Sequence, residues 1–240
     1  MKHWQIFVAL AALASVIGPA AARDERADIA LVLAVDVSGS VDGKRYVLQM
    51  EGIAAALETP EVEHAILGGA HQSMEVILVE WSTKSNVTIP WTLLSSPADI
   101  AQFAAKIRAA PRNGDQFTCM SVAMRQIADK LLAQMPVPAD RVVIDVSGDG
   151  HDNCNPAKPV ETVGAELAAS GAIVNGLPIL EGDEATTLEA WYTNHVIAGA
   201  GAFVLPAAGF NDIANAMRHK FVTEISSAEP PPIDLNQGDR

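Results

Sequence analysis

One stretch near the start of the chain constrains the fold more than any other. Seven consecutive apolar residues, Ile29 to Val35, run directly into Asp36, and serines follow at Ser38 and Ser40. A run that short, bounded by a Gly/Ser turn, is typical of a strand buried on both faces of a parallel sheet. Ligand sites in such sheets lie beyond the carboxyl ends of the strands, so this strand is expected to carry one carboxylate and two hydroxyls to that edge.

All the donors in this stretch are oxygens. Carboxylate and hydroxyl oxygens suit hard cations such as Mg²⁺, Mn²⁺ and Ca²⁺ better than Zn²⁺ or copper. The same residues also fit a simpler role, in which Ser40 or Asp42 caps a helix that begins at Lys44. The stretch by itself leaves both interpretations open.

Strand and helix patterns alternate along the rest of the chain and predict an α/β fold. We expect one domain, 23–227, with a doubly wound, mostly parallel six-stranded sheet, one antiparallel edge strand and helices on both faces. Pro90 suits the edge strand because proline cannot donate to a sheet hydrogen bond, and Pro60 is expected to end the first helix. The predicted strands are 29–35, 74–81, 86–91, 141–146, 172–180 and 202–205, and the predicted helices are 44–59, 96–107, 118–131, 159–169, 186–197 and 210–225.

Two later loops also carry oxygen donors. Thr118 lies between a glycine-containing loop and a helix, and Asp149 follows the fourth strand in Ser-Gly-Asp-Gly. If the fourth strand lies beside the first, Asp36 and Asp149 emerge side by side at the point where the strand order reverses. Thr118 reaches the same edge from the helix that leads into the fourth strand.

Asp-x-Ser-x-Ser, a later loop threonine and a strand-end Asp-Gly, in this order, resemble the metal-ion-dependent adhesion site of von Willebrand factor type A domains. The element order of 27–225 is similar to that family too, and most of all to its uncharacterised bacterial secreted single-domain members. The resemblance implies one divalent cation, Mg²⁺ or else Mn²⁺ or Ca²⁺. Its ligands, direct or through water, would be Asp36, Ser38, Ser40, Thr118 and Asp149.

One loop departs from the family pattern. The family often has Gly-Gly-Thr-x-Thr before its threonine, whereas this chain has Asn113-Gly-Asp-Gln-Phe-Thr118. Asp115 is therefore a candidate for an extra carboxylate at the rim of the site. His151 and Asp152 are rim candidates as well, and a solvated pair of loop residues is the alternative for them.

The chain contains two cysteines, and both fall beside these loops. In an exported protein two cysteines suggest one disulfide. Cys119 follows Thr118 and Cys154 lies five residues beyond Asp149, so a bridge between them would brace the site that the resemblance implies. Two free thiols are the alternative.

The N-terminus predicts export. Lys2 and His3 precede the apolar run Trp4–Ile17, and Gly18–Ala22 ends in small residues, which is the pattern of a signal peptide, 1–22, cleaved after Ala22. An uncleaved anchor is the alternative, but the run is short for the roughly 20 residues of a membrane span. We expect no span in the mature protein, a periplasmic or extracellular location, and a disordered Pro-rich tail at 228–240.

Composition and motifs narrow the function. A formal net charge of −13 argues against nucleic acid as a partner. Five ligands leave one octahedral position for a carboxylate of a partner protein, which favours an exported metal-dependent binding module. An envelope scaffold or assembly factor with a purely structural metal is the alternative. A hydrolase is disfavoured, because Ser38 replaces the second carboxylate of a phosphatase-like Asp-x-Asp and no Gly-x-Ser-x-Gly elbow surrounds any serine.

Overall fold

A five-stranded sheet runs through the centre of the protein, seen in a computed structural model that describes residues 26–154 and 159–226. The strand order is β3-β2-β1-β4-β5, with β3 antiparallel to β2 and the other neighbours parallel. The fourth strand therefore lies beside the first and the hairpin forms one edge, as predicted. The strands are β1 (Ala27–Asp36), β2 (Met74–Trp81), β3 (Ser85–Leu94), β4 (Ala139–Gly148) and β5 (Ile173–Pro178).

Helices cover both faces of this sheet, which confirms the doubly wound architecture. Helices α1, α2, α3 and α7 enclose one apolar core, and α4, α5 and α6 enclose the other. A π turn and a 3₁₀ turn extend the chain beyond α4. The helices are α1 (Gly43–Leu57), α2 (Pro60–Leu67), α3 (Pro97–Ala109), α4 (Met120–Gln126), α5 (Val160–Ala169), α6 (Ala185–His195) and α7 (Ile213–Ser226).

Strand β1 is the central strand, and all ten of its residues are buried. Leu31 and Leu33 pack into the core under α1 and α7, while Val32 and Ala34 pack into the core under α4 and α6. An uninterrupted apolar run is required here because successive side chains enter two different cores.

The predicted sixth strand is wrong. Residues 203–205 do run beside β5, where Phe203 O and Leu205 N pair with Gly176 at 3.1 and 3.0 Å, but they form only isolated bridges. Pro178 of β5 has no N–H to donate to Leu205 O, and glycines with positive φ lie on both sides of the segment, at Gly201 and Gly209. The segment is therefore too short to become a strand.

Pro60 does not simply end the first helix. It is the first residue of α2, a helix that the sequence pattern did not predict, and it is preceded by the N-cap residue Thr59. Proline is favoured at a first helical position because its missing N–H would have no intrahelical partner there.

The signal peptide predicted at 1–22 and the tail predicted at 228–240 lie outside the described residues, so both stay predictions. Within the described ranges, no helix is long and apolar enough to cross a membrane.

Close contact between α1 and α7 gives a test of the packing. A Cβ at Gly52 would lie 2.7 Å from Ile213 Cγ2 and 2.9 Å from Ala214 N, whereas one at Gly43 would meet no atom within 4 Å. We expect Gly52→Ala to lower the free energy of unfolding by about 1–3 kcal/mol, because α7 must move away. Gly43→Ala, in the same helix, should leave it unchanged or raise it slightly. Urea denaturation of both variants checks this, and equal midpoints would contradict it.

Candidate metal centre

The carboxyl ends of β1 and β4 bring predicted ligands together. Strand β1 ends at Asp36, and the serine loop that follows it reaches the residue just beyond β4. Ser40 Oγ donates to Asp149 Oδ1 at 2.5 Å, and Ser38 Oγ lies 3.2 Å from Ser40 Oγ. The edge rule for parallel sheets thus places two carboxylates and two hydroxyls at one site.

Asp36 is the most deeply placed member of this group. The backbone N–H of Ser38 donates to its Oδ1 at 2.7 Å, and Gln49 Nε2 donates to its backbone oxygen at 2.8 Å. The residue is fully buried, and its Oδ2 has no hydrogen-bond partner among the described residues. A buried carboxylate oxygen without a partner is costly, so this oxygen fits a site that takes up a cation.

Thr118 reaches the site from the chain that enters α4. Its backbone N–H donates to Asn153 Oδ1 at 2.9 Å, and its carbonyl accepts from the N–H of Asn153 at 3.0 Å. A Cβ at Gly150 would lie 3.7 Å from Thr118 Oγ1, which places this hydroxyl beside the Asp149–Gly150 turn. Thr118 lines the same cavity as Ser40 and Asp149.

A Cys119–Cys154 disulfide joins the two loops, as predicted, with 5.0 Å between the Cα atoms. Asp152 supports the same junction. Its carboxylate accepts from the backbone N–H of Ser121 at 2.6 Å and from that of Cys154 at 2.9 Å. Asp152 therefore caps the start of α4, and both of its carboxylate oxygens are occupied by backbone donors.

The other two rim candidates are placed differently from each other. Asp115 is exposed, and its carboxylate accepts from the N–H of Gln116 at 2.8 Å. His151 lines the cavity, where its ring lies 5.0 Å from that of Trp191 and its Nδ1 lies 3.6 Å from a carboxylate oxygen of Glu184.

Two charged residues that the sequence analysis missed also lie at the site. Arg45 donates to Ser40 O at 2.7 Å and to Glu181 Oε1 at 3.0 Å, and its Nη1 lies 3.9 Å from Asp149 Oδ2. Glu181 follows the carboxyl end of β5, so it could have been predicted from the sequence in the same way as Asp36, because ligand sites lie beyond the carboxyl ends of parallel strands. Arg45 gives no comparable signal, because its position depends on how α1 packs.

These groups surround an open, polar cavity of about 530 Å³. Acidic residues supply much of its wall, and Arg45 is the one lysine or arginine among the described residues that line it. No group of three or more His, Cys, Asp or Glu side chains in the described ranges could hold a metal, so a cation here would depend on hydroxyl as well as carboxylate oxygens. The lining residues are Gly39, Ser40, Arg45, Gln116, Thr118, Asp149, Gly150, His151, Asn153, Glu181, Gly182, Asp183 and Glu184.

Solved structures with the same fold include several von Willebrand factor type A domains. Proximal thread matrix protein 1 from the mussel byssus, with a zinc-occupied metal-ion-dependent adhesion site, is 16% identical with a TM-score of 0.61 over 85% of this chain and 48% of its own. The domain from Catenulispora acidiphila is 17% identical with a TM-score of 0.57 over 83% and 43%, and that of the type V pilus tip protein Mfa5 from Porphyromonas gingivalis is 12% identical with a TM-score of 0.59 over 86% and 98%.

The fold is therefore that of a von Willebrand factor type A domain. This chain spans about half the length of the mussel protein chain. No curated protein matches it. The family described as "Protein of unknown function (DUF1194)" matches residues 26–229. The chain belongs to DUF1194.

Electrostatics in this DUF1194 domain favour a cation at the strand ends. Burial, and then the charge of Asp149, raises the pKa of Asp36 to about 7. Burial also raises the pKa of Asp149, although the Ser40 hydroxyl and Arg45 act in the opposite direction. Two carboxyls that resist ionisation side by side would both be stabilised as anions by a divalent ion.

The raised pKa of Asp36 predicts how pH changes stability without metal. Between about pH 4 and pH 7 the folded protein holds a proton on Asp36 that the unfolded chain has released, so this group makes stability fall as pH rises. We expect the free energy of unfolding of Asp36→Asn, relative to wild type, to increase over that range and level off above it. Urea denaturation in EDTA across the range measures this, and a difference that is equal at every pH would contradict it.

The disulfide gives a second test. Closing a loop of 35 residues should contribute about 3–4 kcal/mol, so Cys119→Ser with Cys154→Ser should lower the free energy of unfolding by that amount. A reducing agent should shift the urea midpoint of wild type in the same direction and leave the double variant unchanged. Two alkylated thiols in unreduced protein, found by mass spectrometry, would exclude the bridge.

Proposed function

We propose that this protein is exported and that its domain binds a partner protein through one divalent cation. The observation that carries the proposal is that Ser40, Thr118 and Asp149 line an open polar cavity. Behind this wall, Ser38 Oγ lies 3.2 Å from Ser40 Oγ, and Asp36 is buried next to Asp149. When bound, the cation would supply positive charge and one free coordination position, which a carboxylate of the partner would occupy. Mg²⁺ is the first choice for oxygen ligands, with Mn²⁺ and Ca²⁺ next.

The surroundings of the cavity support a partner with an acidic residue. Arg45 is only partly exposed and lies beside Asp149, so its guanidinium would face a carboxylate that approaches the cation. Glu181, which pairs with Arg45, and Asp183 and Glu184 also line the cavity, and a partner with basic groups next to its acidic residue would suit them.

The compared proteins support a binding or matrix role. The mussel protein is described as a thread matrix protein and Mfa5 as a pilus tip protein, and both descriptions are of extracellular proteins. The mussel site is occupied by zinc, which supports testing divalent ions besides Mg²⁺, Mn²⁺ and Ca²⁺. A scaffold with a purely structural metal is the second candidate.

The described residues give little support to a hydrolase. Ser147 is 5% exposed and its hydroxyl contacts the backbone oxygen of Ala34 at 3.5 Å, so it is not presented to a substrate. His151 is engaged with Glu184 and Trp191 rather than with a serine at the site.

Thermal unfolding tests the cation. An ion at 100 times its dissociation constant adds about 2.7 kcal/mol to the native state, which for a domain of this size raises the Tm by roughly 5–10 °C. Asp36→Ala should abolish the response to Mg²⁺ and Mn²⁺, and Ser40→Ala should weaken it. Asp129→Ala, which removes an exposed acid outside the site, should respond like wild type. Wild-type melting curves that are unchanged by Mg²⁺, Mn²⁺, Ca²⁺ and Zn²⁺ would overturn the metal site.

The binding role needs a separate measurement. Envelope and medium proteins captured by the wild-type domain should be released by EDTA and not captured by Asp36→Ala. A captured protein should then lose binding when its own acidic contact residue is replaced by the matching amide. Capture that is indifferent to EDTA would favour the scaffold, and turnover of phosphoesters or esters would favour an enzyme.

A further inference from the structure

A tyrosine behind the metal centre has no assigned role. Tyr192, on α6, is completely buried, and its hydroxyl has no hydrogen-bond partner among the described residues. Buried hydroxyls nearly always have a partner, because an unsatisfied one loses its hydration without replacement. A phenylalanine would fill the same apolar space, so the hydroxyl calls for an explanation.

The second unpartnered atom lies on the other side of one glycine. A Cβ at Gly148 would lie 2.8 Å from Asp36 Oδ2 and 3.0 Å from Tyr192 Oη, so the two oxygens face the same small space above the end of β4. One is a hydroxyl that can donate, and the other is a carboxylate oxygen that can only accept when ionised. Each is the kind of partner that the other lacks.

Two glycines make this approach possible. A Cβ at Gly176 would lie 2.6 Å from Tyr192 Cδ1, so the ring lies against bare backbone of β5 and the hydroxyl extends over Gly148 of β4. Glycine inside a buried strand weakens it and often marks a close approach of another group. Here the two close approaches belong to one side chain, which crosses two strands and points to the end of a third.

We propose that Tyr192 is a positioning residue for Asp36: although the two oxygens are not hydrogen-bonded to each other in this structure, the hydroxyl donates to Asp36 Oδ2 when the cation is bound and holds the carboxylate in the orientation that serves the cation. The backbone N–H of Ser38 already fixes Oδ1 at 2.7 Å, so the carboxylate would be held by donors on both oxygens. A neutral donor fixes a ligand without adding a charge that would repel the cation. This inference rests on the proposed metal site.

The main test compares Tyr→Phe substitutions at the two tyrosines of the chain, Tyr192 and Tyr46. Tyr192→Phe removes one hydroxyl and keeps the ring. Loss of a hydrogen-bond donor to a metal ligand typically costs about 10–100-fold in metal affinity, and we expect a loss of that size for Mn²⁺ and Mg²⁺ measured by calorimetry. Tyr46→Phe is the matched control, because the Tyr46 hydroxyl donates to Glu80 at 2.6 Å and to Ala110 O at 3.0 Å. It should bind both ions like wild type.

A spectroscopic readout separates positioning from a general loss of packing. In protein labelled with ¹³C at the tyrosine Cζ, two resonances appear, and each Tyr→Phe variant assigns one of them. We expect Asp36→Ala to shift the Tyr192 resonance without metal and Mg²⁺ to shift it in wild type, while the Tyr46 resonance stays fixed. A Tyr192 resonance indifferent to both changes would overturn the inference.

Failure of the inference can be told from failure of the proposed function. If wild type binds Mn²⁺ and Tyr192→Phe binds it equally well, the positioning role is wrong and the metal site stands. If wild type binds no divalent cation, the proposed function is wrong, and the positioning role for a metal ligand is overturned with it.

Discussion

The structure depends on one electrostatic constraint, which is that two acids emerge from neighbouring parallel strands at a buried edge. Asp36 and Asp149 are adjacent because β1 and β4 are adjacent. Burial disfavours both charges, and the charge of Asp149 adds to this effect at Asp36. Ser40 and Arg45 compensate Asp149, and the Cys119–Cys154 bridge ties the Asp149 loop to the start of α4.

Sequence reasoning could find the parts of this site that follow from strand order. Asp36 and Asp149 end apolar runs, and the carboxyl ends of parallel strands share an edge, so their convergence needed only the correct topology. Tyr192 and Arg45 could not be found this way, because their positions depend on how α6 and α1 pack on the sheet. A tyrosine in an amphipathic helix looks the same in the sequence whether its hydroxyl meets solvent or a carboxylate.

The two errors in the predicted fold, the sixth strand and the role of Pro60, also arise because a local sequence pattern does not show how neighbouring elements pack. The apolar residues 203–205 look like a strand, and they lie beside β5, but Pro178 of β5 has no N–H to pair with Leu205 O, so only isolated bridges form. Pro60 was interpreted as a helix end, although proline also suits a helix start, and here it begins α2. In both cases a proline decides the structure together with the element next to it, and the local sequence does not show that element.

A second group of buried acids in the same sheet differs from Asp36 and Asp149 in how its charge is compensated. Asp145, inside β4, is fully buried, and Lys220 from α7 lies 3.0 Å from its Oδ1 and also pairs with Glu224. Here the chain supplies its own buried cation, which lies between two acids in a region closed to solvent. At the strand ends the chain supplies only Arg45, which is partly exposed, shared with Glu181 and 3.9 Å from Asp149. Two carboxyls with so little fixed positive charge, beside an open cavity, are therefore a site that an exchangeable cation would stabilise.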